Sequence, residues 1–379
     1  MHAHILPSGI TLKHVEARQA KAIAVLGTMF AIFSRLVPSG SALLLIDVPV
    51  PFYADLRFAV FPYLVTLFLH HILALYSEIR MGSYAESQDR GILPKQFHIF
   101  GNGISFSISP IIHNAGFRHD GLPYTYDIQE SRNIDEVAHL ISRDEFGGAS
   151  VTMPHKLQVH KYCDRESETA KSIGAINTLV VGYDGANRTI TGENTDWSGL
   201  HAIINNYKTR SGKKMDAGLV IGAGGASRAA LYAMYRAGIR TIYLVNRTFS
   251  RAESVRETFK DLFSVTILQN LRGLPQDIHV IIGTIPAHVT TEEQYHNLFG
   301  GCGLCIDMSY KPRQTPLLKA AKRNSEWETI TGLQVLLAQA FDQYRLWTGK
   351  EPPRKVIVDA IIAHEGGQNI ENIEVEGKL

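Results

Sequence analysis

The chain has 379 residues, of which 45% are hydrophobic and 20% charged, a globular composition with enough length for two or three domains. The formal net charge of +2 gives no basic field that would attract nucleic acid, so we expect no nucleic-acid partner. The three cysteines argue against a disulfide framework and favour a reducing, cytoplasmic location.

Residues 1–95 form a hydrophobic N-terminal extension and a linker. The stretch Phe58–Tyr76 carries no formal charge over 19 residues, which is near the length of a membrane span, although Pro62 and the pair His70-His71 lie inside it. Three interpretations stay open: a membrane anchor, a helical segment that packs on a partner, and a remnant whose context lies outside this chain. In the first two, residues 20–76 make the contact.

From Gln96 onward, short apolar runs alternate with helical patterns. The predicted strands of this part are Phe97–Phe100, Gly148–Thr152 and Ala175–Val181. Pro110 and Pro154 occupy first-turn positions of predicted helices, the second of which covers His155–Cys163. This alternation predicts a mostly parallel sheet with helices on both faces.

A polar stretch, Asn205–Asp216, interrupts the series and is predicted to be a hinge. A second alternating series follows it, with strands at Leu219–Ile221, Thr241–Val245, Val280–Ile285 and Leu304–Met308. The final helical pattern, Leu333–Trp347, has apolar residues at helical spacing and therefore one buried face. The expected fold class is α/β with two domains.

A glycine-rich loop follows the strand Leu219–Ile221 and opens a helix. Its members are Gly222, Ala223, Gly224, Gly225, Ala226 and Ser227. Small residues allow a pyrophosphate to approach the backbone N–H groups at a helix N-terminus, so the loop favours a dinucleotide site. An ordinary strand–helix turn is the alternative, because a lone glycine-rich turn is weak evidence.

The end of the next strand carries no carboxylate that could accept a hydrogen bond from the 2′-hydroxyl of NAD. Arg247 and Arg251 lie there instead, and Thr248 adds a hydroxyl. Guanidinium groups bind phosphate through paired hydrogen bonds, so this pattern favours the 2′-phosphate of NADP. Two solvated arginines are the alternative, although cations oppose the dipole at a helix N-terminus.

Polar residues cluster where strands of the first series end. Ser107 and Ser109 are spaced to grip one carboxylate, but with Pro110 they also form a helix-cap pattern. Lys156 follows a strand end, and burial can adapt a lysine to donate and accept a proton, although most lysines lie on the surface. Asp196, between a strand and a helix, is a second candidate or simply another cap.

Cys302 and Cys305 form a CxxC pair at the start of an apolar run. A zinc site needs more ligands than this pair and Cys163 provide. We interpret the pair as small core thiols, with redox or metal chemistry as the alternative, and we predict no metal.

Seven segments occur in the order FGNGISFSISPIIHN, GASVTMPHK, GAINT, GENTDW, GAGGASR, NRTFSR and LLAQAFDQ. Over roughly Gln96–His364 this set resembles shikimate dehydrogenase, and it is most similar to the fungal forms at the C-terminal end of the pentafunctional AROM polypeptide and to the related quinate repressor. The resemblance implies a shikimate-binding catalytic domain at 96–203 plus 332–364, and a Rossmann-like NADP domain at 204–331.

The resemblance also implies roles for matching residues. Lys156 and Asp196 would form the catalytic pair, Ser107 and Ser109 would bind the ring carboxylate, and the other substrate contacts would be Thr152, Asn177, Tyr310 and Gln339. The cofactor site would comprise the six loop residues Gly222 to Ser227 together with Asn246, Arg247, Thr248, Arg251 and Thr284.

The expected activity is the reversible NADPH-dependent reduction of 3-dehydroshikimate to shikimate. A regulator of the quinate-repressor type, which binds the ring acid without turnover, and a dehydrogenase acting on both quinate and shikimate remain as alternatives.

Overall fold

The computed structural model of the chain describes residues 92–275 and 277–365. The predictions for the N-terminal extension, including membrane or partner contact through residues 20–76, lie outside these residues. No helix within them combines the length and the apolar character that a membrane span requires.

The first sheet occupies the N-terminal part of the described chain. Its strands are β1 (Lys95–Gly101), β2 (Tyr124–Glu130), β3 (Phe146–Val151), β4 (Arg165–Glu166), β5 (Thr178–Asp184) and β6 (Asn187–Glu193). They lie in the order β2-β1-β3-β5-β6-β4. β1 pairs in parallel with β2 and β3, whereas β5 is antiparallel to both β3 and β6. The sheet is therefore mixed.

The antiparallel pairings fix where the strand ends lie. Because β5 runs against both β3 and β6, the carboxyl ends of β3 and β6 meet the start of β5 at one edge of the sheet. In register, Ser150 pairs with Thr178 and Thr178 pairs with Glu193. The connections that leave this edge begin at Thr152 and at Asn194, which brings two distant polar segments together.

Four helices accompany the first sheet, namely α1 (Ser109–His119), α2 (Ala138–Ile141), α3 (Glu168–Ile173) and α4 (Asp196–Ser211). The expected helix after Pro154 is wrong, since the chain forms two short 3₁₀ turns there, His155–Leu157 and Val159–Tyr162. The predicted hinge is also wrong over most of its length. α4 continues to Ser211 and ends at Gly212, whose φ of 62° suits glycine.

The second sheet is entirely parallel. Its strands are β7 (Ala217–Ile221), β8 (Thr241–Val245), β9 (Val265–Leu268), β10 (Ile278–Gly283), β11 (Gly303–Asp307) and β12 (Trp327–Ile330), in the order β12-β11-β10-β7-β8-β9. The associated helices are α5 (Gly225–Arg236), α6 (Phe249–Phe259) and α7 (Pro316–Lys322). Neighbouring residues of one strand, such as Leu219 and Val220, enter separate buried clusters. Both faces of the sheet are therefore covered, as parallel sheets require.

Two further helices, α8 (Gly332–Thr348) and α9 (Arg354–His364), return to the first sheet. α8 packs against α4 and carries Tyr344, which is fully buried with Phe97 and Phe117. α4 also packs against α5 through Leu200 and Ile203, which share a core with the second sheet. The predicted α/β fold class is confirmed, and the described chain contains two sheets.

Candidate active site

Lys156 and Asp196 meet although 40 positions separate them in the sequence. Lys156 lies in the 3₁₀ turn after β3, and Asp196 is the first residue of α4 after β6. The Lys156 ammonium donates a hydrogen bond to Oδ2 of Asp196, and the two side chains are only 14% and 7% exposed. The strand ends at the shared sheet edge create this pair, so Lys156 is not an ordinary surface lysine.

Asn177 and Gln339 complete what we call the polar cluster, defined as Lys156, Asn177, Thr195, Asp196 and Gln339. Nδ2 of Asn177 donates to Oδ1 of Asp196 at 2.9 Å and to Oε1 of Gln339 at 3.1 Å. Thr195 donates its backbone N–H to Oδ1 of Asn177 at 2.7 Å. The aspartate thus receives one donor on each oxygen, from Lys156 and from Asn177, and its direction is fixed.

The serine pair lies at the start of α1. The Ser107 hydroxyl donates to Oγ of Ser109 at 3.2 Å and accepts from the Ser109 N–H at 3.3 Å. Ser109 is buried, and Tyr310 shares a side-chain hydrogen bond with Ser107. Burial raises the pKa of Tyr310, so this hydroxyl stays protonated. The structure therefore brings Ser107, Ser109 and Tyr310 together.

The simple cap interpretations of these residues are wrong. Ile108 and Thr195 occupy the N-cap positions of α1 and α4, and neither helix has a side-chain cap. Ser109 and Asp196 are instead the first helical residues. Thr152 lies half-buried between β3 and Lys156, and its backbone N–H donates to Phe100. Its hydroxyl makes no hydrogen bond within the described part of the chain.

The glycine loop, Gly222–Ser227, connects β7 to α5. Gly222 has a φ of 119°, and a Cβ there would collide with the Thr284 hydroxyl. The Ser227 hydroxyl accepts from the Gly224 N–H at 3.0 Å and lies 2.6 Å from Oγ1 of Thr284. Around Gly224, by contrast, an added Cβ would meet no atom within 4 Å. Ser227 and Thr284 therefore hold the loop on one side, while the space at Gly224 is open, which suits a phosphate approaching a helix N-terminus.

Arg247, Thr248 and Arg251 lie exposed at the start of α6, beyond the end of β8. Asn246 supports this turn, since its Nδ2 donates to the Thr248 carbonyl at 2.8 Å. Within residues 92–275 and 277–365 neither arginine forms an ion pair. Two unpaired guanidinium groups beside a glycine-rich turn can hold a phosphate.

The glycine loop contacts the polar cluster directly. A Cβ added to Gly225 would lie 2.9 Å from Cβ of Lys156 and 3.3 Å from its Cδ. The backbone at the start of α5 therefore rests against the lysine side chain. The glycine loop and the pair of Lys156 and Asp196 are therefore adjacent.

Sequence reasoning missed Thr195 and Gln343. Thr195 precedes Asp196 in the chain, and its hydroxyl donates to Oε1 of Gln339 at 3.0 Å. Gln343 is only 1% exposed and lies one helical turn after Gln339 on α8. A second glutamine four residues on, within an apolar stripe, is a pattern that could have pointed to it.

The interpretation of the two cysteines as core thiols holds for Cys305 and not for Cys302. Cys305 is fully buried in β11, Cys302 is half-buried, and both are free thiols. The part of the chain that the structure describes holds no group of three or more histidine, cysteine or acidic side chains able to bind a metal.

Three family models match consecutive parts of the chain. They are the shikimate dehydrogenase substrate binding domain at residues 99–179, shikimate / quinate 5-dehydrogenase at 207–313, and the shikimate 5′-dehydrogenase C-terminal domain at 332–362. The matched ranges include both members of the serine pair, Lys156, the glycine loop and Gln339.

Similar proteins include the pentafunctional AROM polypeptide of Malassezia globosa, which is 40% identical over an alignment of 278 residues. The match covers 69% of this chain and 17% of that protein. This chain thus spans less than a fifth of such relatives. The solved dehydroquinate dehydratase and shikimate dehydrogenase from S. pombe AroM is 35% identical with a TM-score of 0.61, covering 72% of this chain and 53% of that one.

A shikimate 5-dehydrogenase from Thermus thermophilus, solved in complex with NADP(H) and shikimate, is 26% identical with a TM-score of 0.56 and covers 70% of this chain and 98% of that one. The resemblance predicted from the seven sequence segments is confirmed. The chain belongs to the shikimate dehydrogenase family.

Proposed function

We propose that this protein is an NADP-dependent shikimate dehydrogenase that catalyses the reversible reduction of 3-dehydroshikimate to shikimate. The observation that carries the proposal is the buried pair of Lys156 and Asp196, against which the glycine loop packs through Gly225. Reducing a ketone requires a proton donor beside the carbonyl oxygen, and an oriented ammonium next to a dinucleotide loop meets this need.

The serine pair and Tyr310 would bind the ring carboxylate, because clustered hydroxyl donors suit an anion. Asn177 and Gln339 would hold ring hydroxyls, since both present amide groups at the polar cluster. Thr152 would contribute a further hydroxyl contact from its position after β3. Together these contacts would hold the ring beside the pair of Lys156 and Asp196.

Lys156 would hold the transferred proton at Nζ and deliver it to the carbonyl oxygen during reduction. Asp196 would keep the ammonium directed at that oxygen, because its Oδ2 accepts from Nζ while Asn177 fixes its Oδ1. In the reverse direction Lys156 would accept the proton from the hydroxyl group. Proton transfer by a positioned side chain contributes roughly 10²- to 10⁴-fold to rates of this kind.

The residues present fit NADP. The open space at Gly224 admits a pyrophosphate, and the exposed Arg247 and Arg251 suit a 2′-phosphate where NAD would require a carboxylate. Ser227, Thr284, Asn246 and Thr248 would complete the site with the other loop residues. When bound, the cofactor would supply or accept the hydride. The complex of the Thermus thermophilus relative with NADP(H) and shikimate supports the choice of cofactor.

We also propose the domain boundaries predicted above, with 96–203 plus 332–364 as the substrate domain and 204–331 as the cofactor domain. The return of α8 to the first sheet supports them, because it carries Gln339 to Asn177. Residue 203 lies inside α4, so this helix would connect the two domains without a loop at that point. A cytoplasmic location remains part of the proposal.

The test is a steady-state assay that crosses shikimate and quinate with NADP and NAD. Turnover of shikimate with NADP, well above that of every other combination, is the expected result. Shikimate binding by calorimetry without any reduction of NADP, in protein shown to be folded, would refute the enzyme and select the sensing alternative. Equal turnover of quinate would instead select a dual dehydrogenase.

A further inference from the structure

A line of buried hydrogen bonds approaches Asp196 from inside the first sheet. It begins at Tyr126 of β2, whose hydroxyl donates to Oγ of Ser150 on β3 at 2.6 Å. Ser150 then donates to Oε1 of Gln343 on α8 at 3.0 Å. Tyr126, Ser150 and Gln343 are 3%, 6% and 1% exposed, so water does not compete for these bonds.

The line continues from Gln343 to the polar cluster. Nε2 of Gln343 donates to Oγ1 of Thr178 at 2.9 Å, and Thr178 donates to Oδ1 of Asn177 at 2.8 Å. Nδ2 of Asn177 then donates to Oδ1 of Asp196 at 2.9 Å. In every one of these bonds the donor lies on the side away from Asp196, so the whole line points in one direction.

A uniform direction has two physical consequences. An amide has a donor end and an acceptor end, so neighbours on both sides fix which way Asn177 and Gln343 are turned. Hydrogen bonds in series also polarise one another, and the last of them ends on a carboxylate, which accepts best when ionised. Burial raises the pKa of Tyr126, so the first donor keeps its proton at any physiological pH.

We propose that Gln343 is a positioning residue for the dehydrogenase reaction, acting through Thr178 and Asn177 to hold the Asp196 carboxylate aimed at Lys156. This inference rests on the proposed function. Gln343 does not belong to the predicted substrate contacts. Inside the fold its amide accepts from Ser150 and donates to Thr178 and to the Asn177 carbonyl. Its effect on the reaction is therefore indirect.

The experiment is a series of substitutions that interrupt the line at increasing distance from Asp196: Thr178→Val, Gln343→Met, Ser150→Ala and Tyr126→Phe. We expect kcat to fall most for Thr178→Val and least for Tyr126→Phe, with about 10-fold for Gln343→Met. The acidic limb of the kcat profile should move to higher pH in the same order, because a carboxylate that loses donors is easier to protonate.

Tyr344→Phe is the matched control for Tyr126→Phe. Tyr344 is also fully buried in the first-sheet region. Its hydroxyl lies 2.7 Å from the Asp120 carboxylate, to which it donates, and 3.1 Å from the Gly116 carbonyl, both outside the line. We expect the pH profile of this variant to match the wild type. A profile that shifts equally in both tyrosine variants, or kcat losses that follow the melting temperature and not the position in the line, would overturn the inference.

A measurement without turnover separates the two proposals. The NMR resonance of the Asp196 carboxyl carbon, recorded at one pH, should move in Gln343→Met and, by less, in Ser150→Ala, because the hydrogen bonds that end on this carboxylate change. An unchanged Asp196 resonance in these variants refutes the positioning role even when the wild type is active. An inactive wild type in which the Asp196 resonance still responds refutes the proposed function and leaves the hydrogen-bond line supported.

Discussion

The polar cluster and the glycine loop contact each other, but they differ in burial and in how their polar groups are hydrogen-bonded. In the polar cluster Asp196 is 5% exposed and Asn177 is 2% exposed, and each is hydrogen-bonded to other members of the cluster. Around the glycine loop, Gly224 faces open space, and Arg247 and Arg251 are exposed without ion-pair partners in the described part of the chain. The polar groups of the cluster are therefore satisfied within the protein, whereas the two arginines near the loop face solvent.

The difference follows from what each region has to recognise. A buried charge costs free energy unless it is paired and hydrogen-bonded, so the pair of Lys156 and Asp196 must be assembled during folding. An anionic ligand brings its own charge, so the groups that bind it remain solvated until it arrives. Substitutions in the polar cluster should therefore alter chemistry, whereas those near the loop should alter binding alone.

The largest expected effect comes from Lys156→Ala. Removing the proton donor should lower kcat by roughly 10²-fold or more and change the dissociation constant of shikimate far less. Stopped-flow or steady-state kinetics and calorimetry measure the two quantities. Lys161→Ala, which removes an exposed lysine five residues on, should leave both unchanged. A Lys156→Ala enzyme with nearly normal kcat would show that the pair is structural.

Arg247→Ala tests whether the arginines near the glycine loop bind the 2′-phosphate of NADP. We expect NADP to bind about 10- to 30-fold more weakly, because a charge-assisted hydrogen bond to phosphate is lost, while binding of NAD changes little. Fluorescence titration with each cofactor gives both constants. Arg256→Ala removes another exposed arginine of α6, paired with Glu253, and serves as the control. Equal losses for NADP and NAD would contradict the 2′-phosphate assignment.

Gly224→Ala separates binding from folding within the loop itself. The added Cβ meets no protein atom within 4 Å, and the extended backbone there accepts alanine, so the melting temperature of the free protein should not change. The Cβ would occupy the approach to the loop N–H groups, so the KM for NADP should rise about 5- to 10-fold. Gly300→Ala, at another open glycine, should affect neither quantity. A lower melting temperature for Gly224→Ala alone would place strain in the loop.

The sequence predicted the glycine loop and its arginines better than the polar cluster. The glycine spacing, the absence of a carboxylate after β8 and the strand Thr241–Val245 are all local features, and the strand has exactly those bounds in the structure. Parallel strands with helical crossovers repeat a strong local pattern, which explains this success. The loop and its arginines needed no information from distant parts of the chain.

The polar cluster depends on contacts between residues that are far apart in the sequence. Strand β2 was not predicted, and the strand before Asp196 was predicted without its bounds or its pairing. The meeting of Lys156 with Asp196 could therefore be argued only from the family resemblance. The α4 helix runs through the polar residues predicted as a hinge, because Ile203, Ile204 and Tyr207 bury one face of it. Gln343 was missed since its partners, Ser150 and Thr178, lie more than 160 positions away.

The smallest expected effect concerns Asp307, a carboxyl group that is buried like Asp196 but has a different set of partners. Asp307, at the end of β11, is 3% exposed and accepts hydrogen bonds from the Thr315 hydroxyl at 2.6 Å and the Ser309 N–H at 3.0 Å. Unlike Asp196 it has no cation beside it among the described residues. Burial raises the pKa of Asp307 from 3.8 to about 6.

The folded state therefore holds this proton more tightly than the unfolded chain, so the contribution of Asp307 to stability is complete below about pH 4 and declines as the pH rises through 6. Between pH 5 and pH 7 the wild type should lose about 1 kcal/mol of unfolding free energy relative to Asp307→Asn, measured by urea unfolding at both pH values. Asp261→Asn, at an exposed carboxyl, should show no such difference. A wild type that instead gains stability over Asp307→Asn across this interval would mean that the two hydrogen bonds outweigh burial. Asp307 would then be held ionised by neutral donors alone, and the contrast with the lysine-paired Asp196 would disappear.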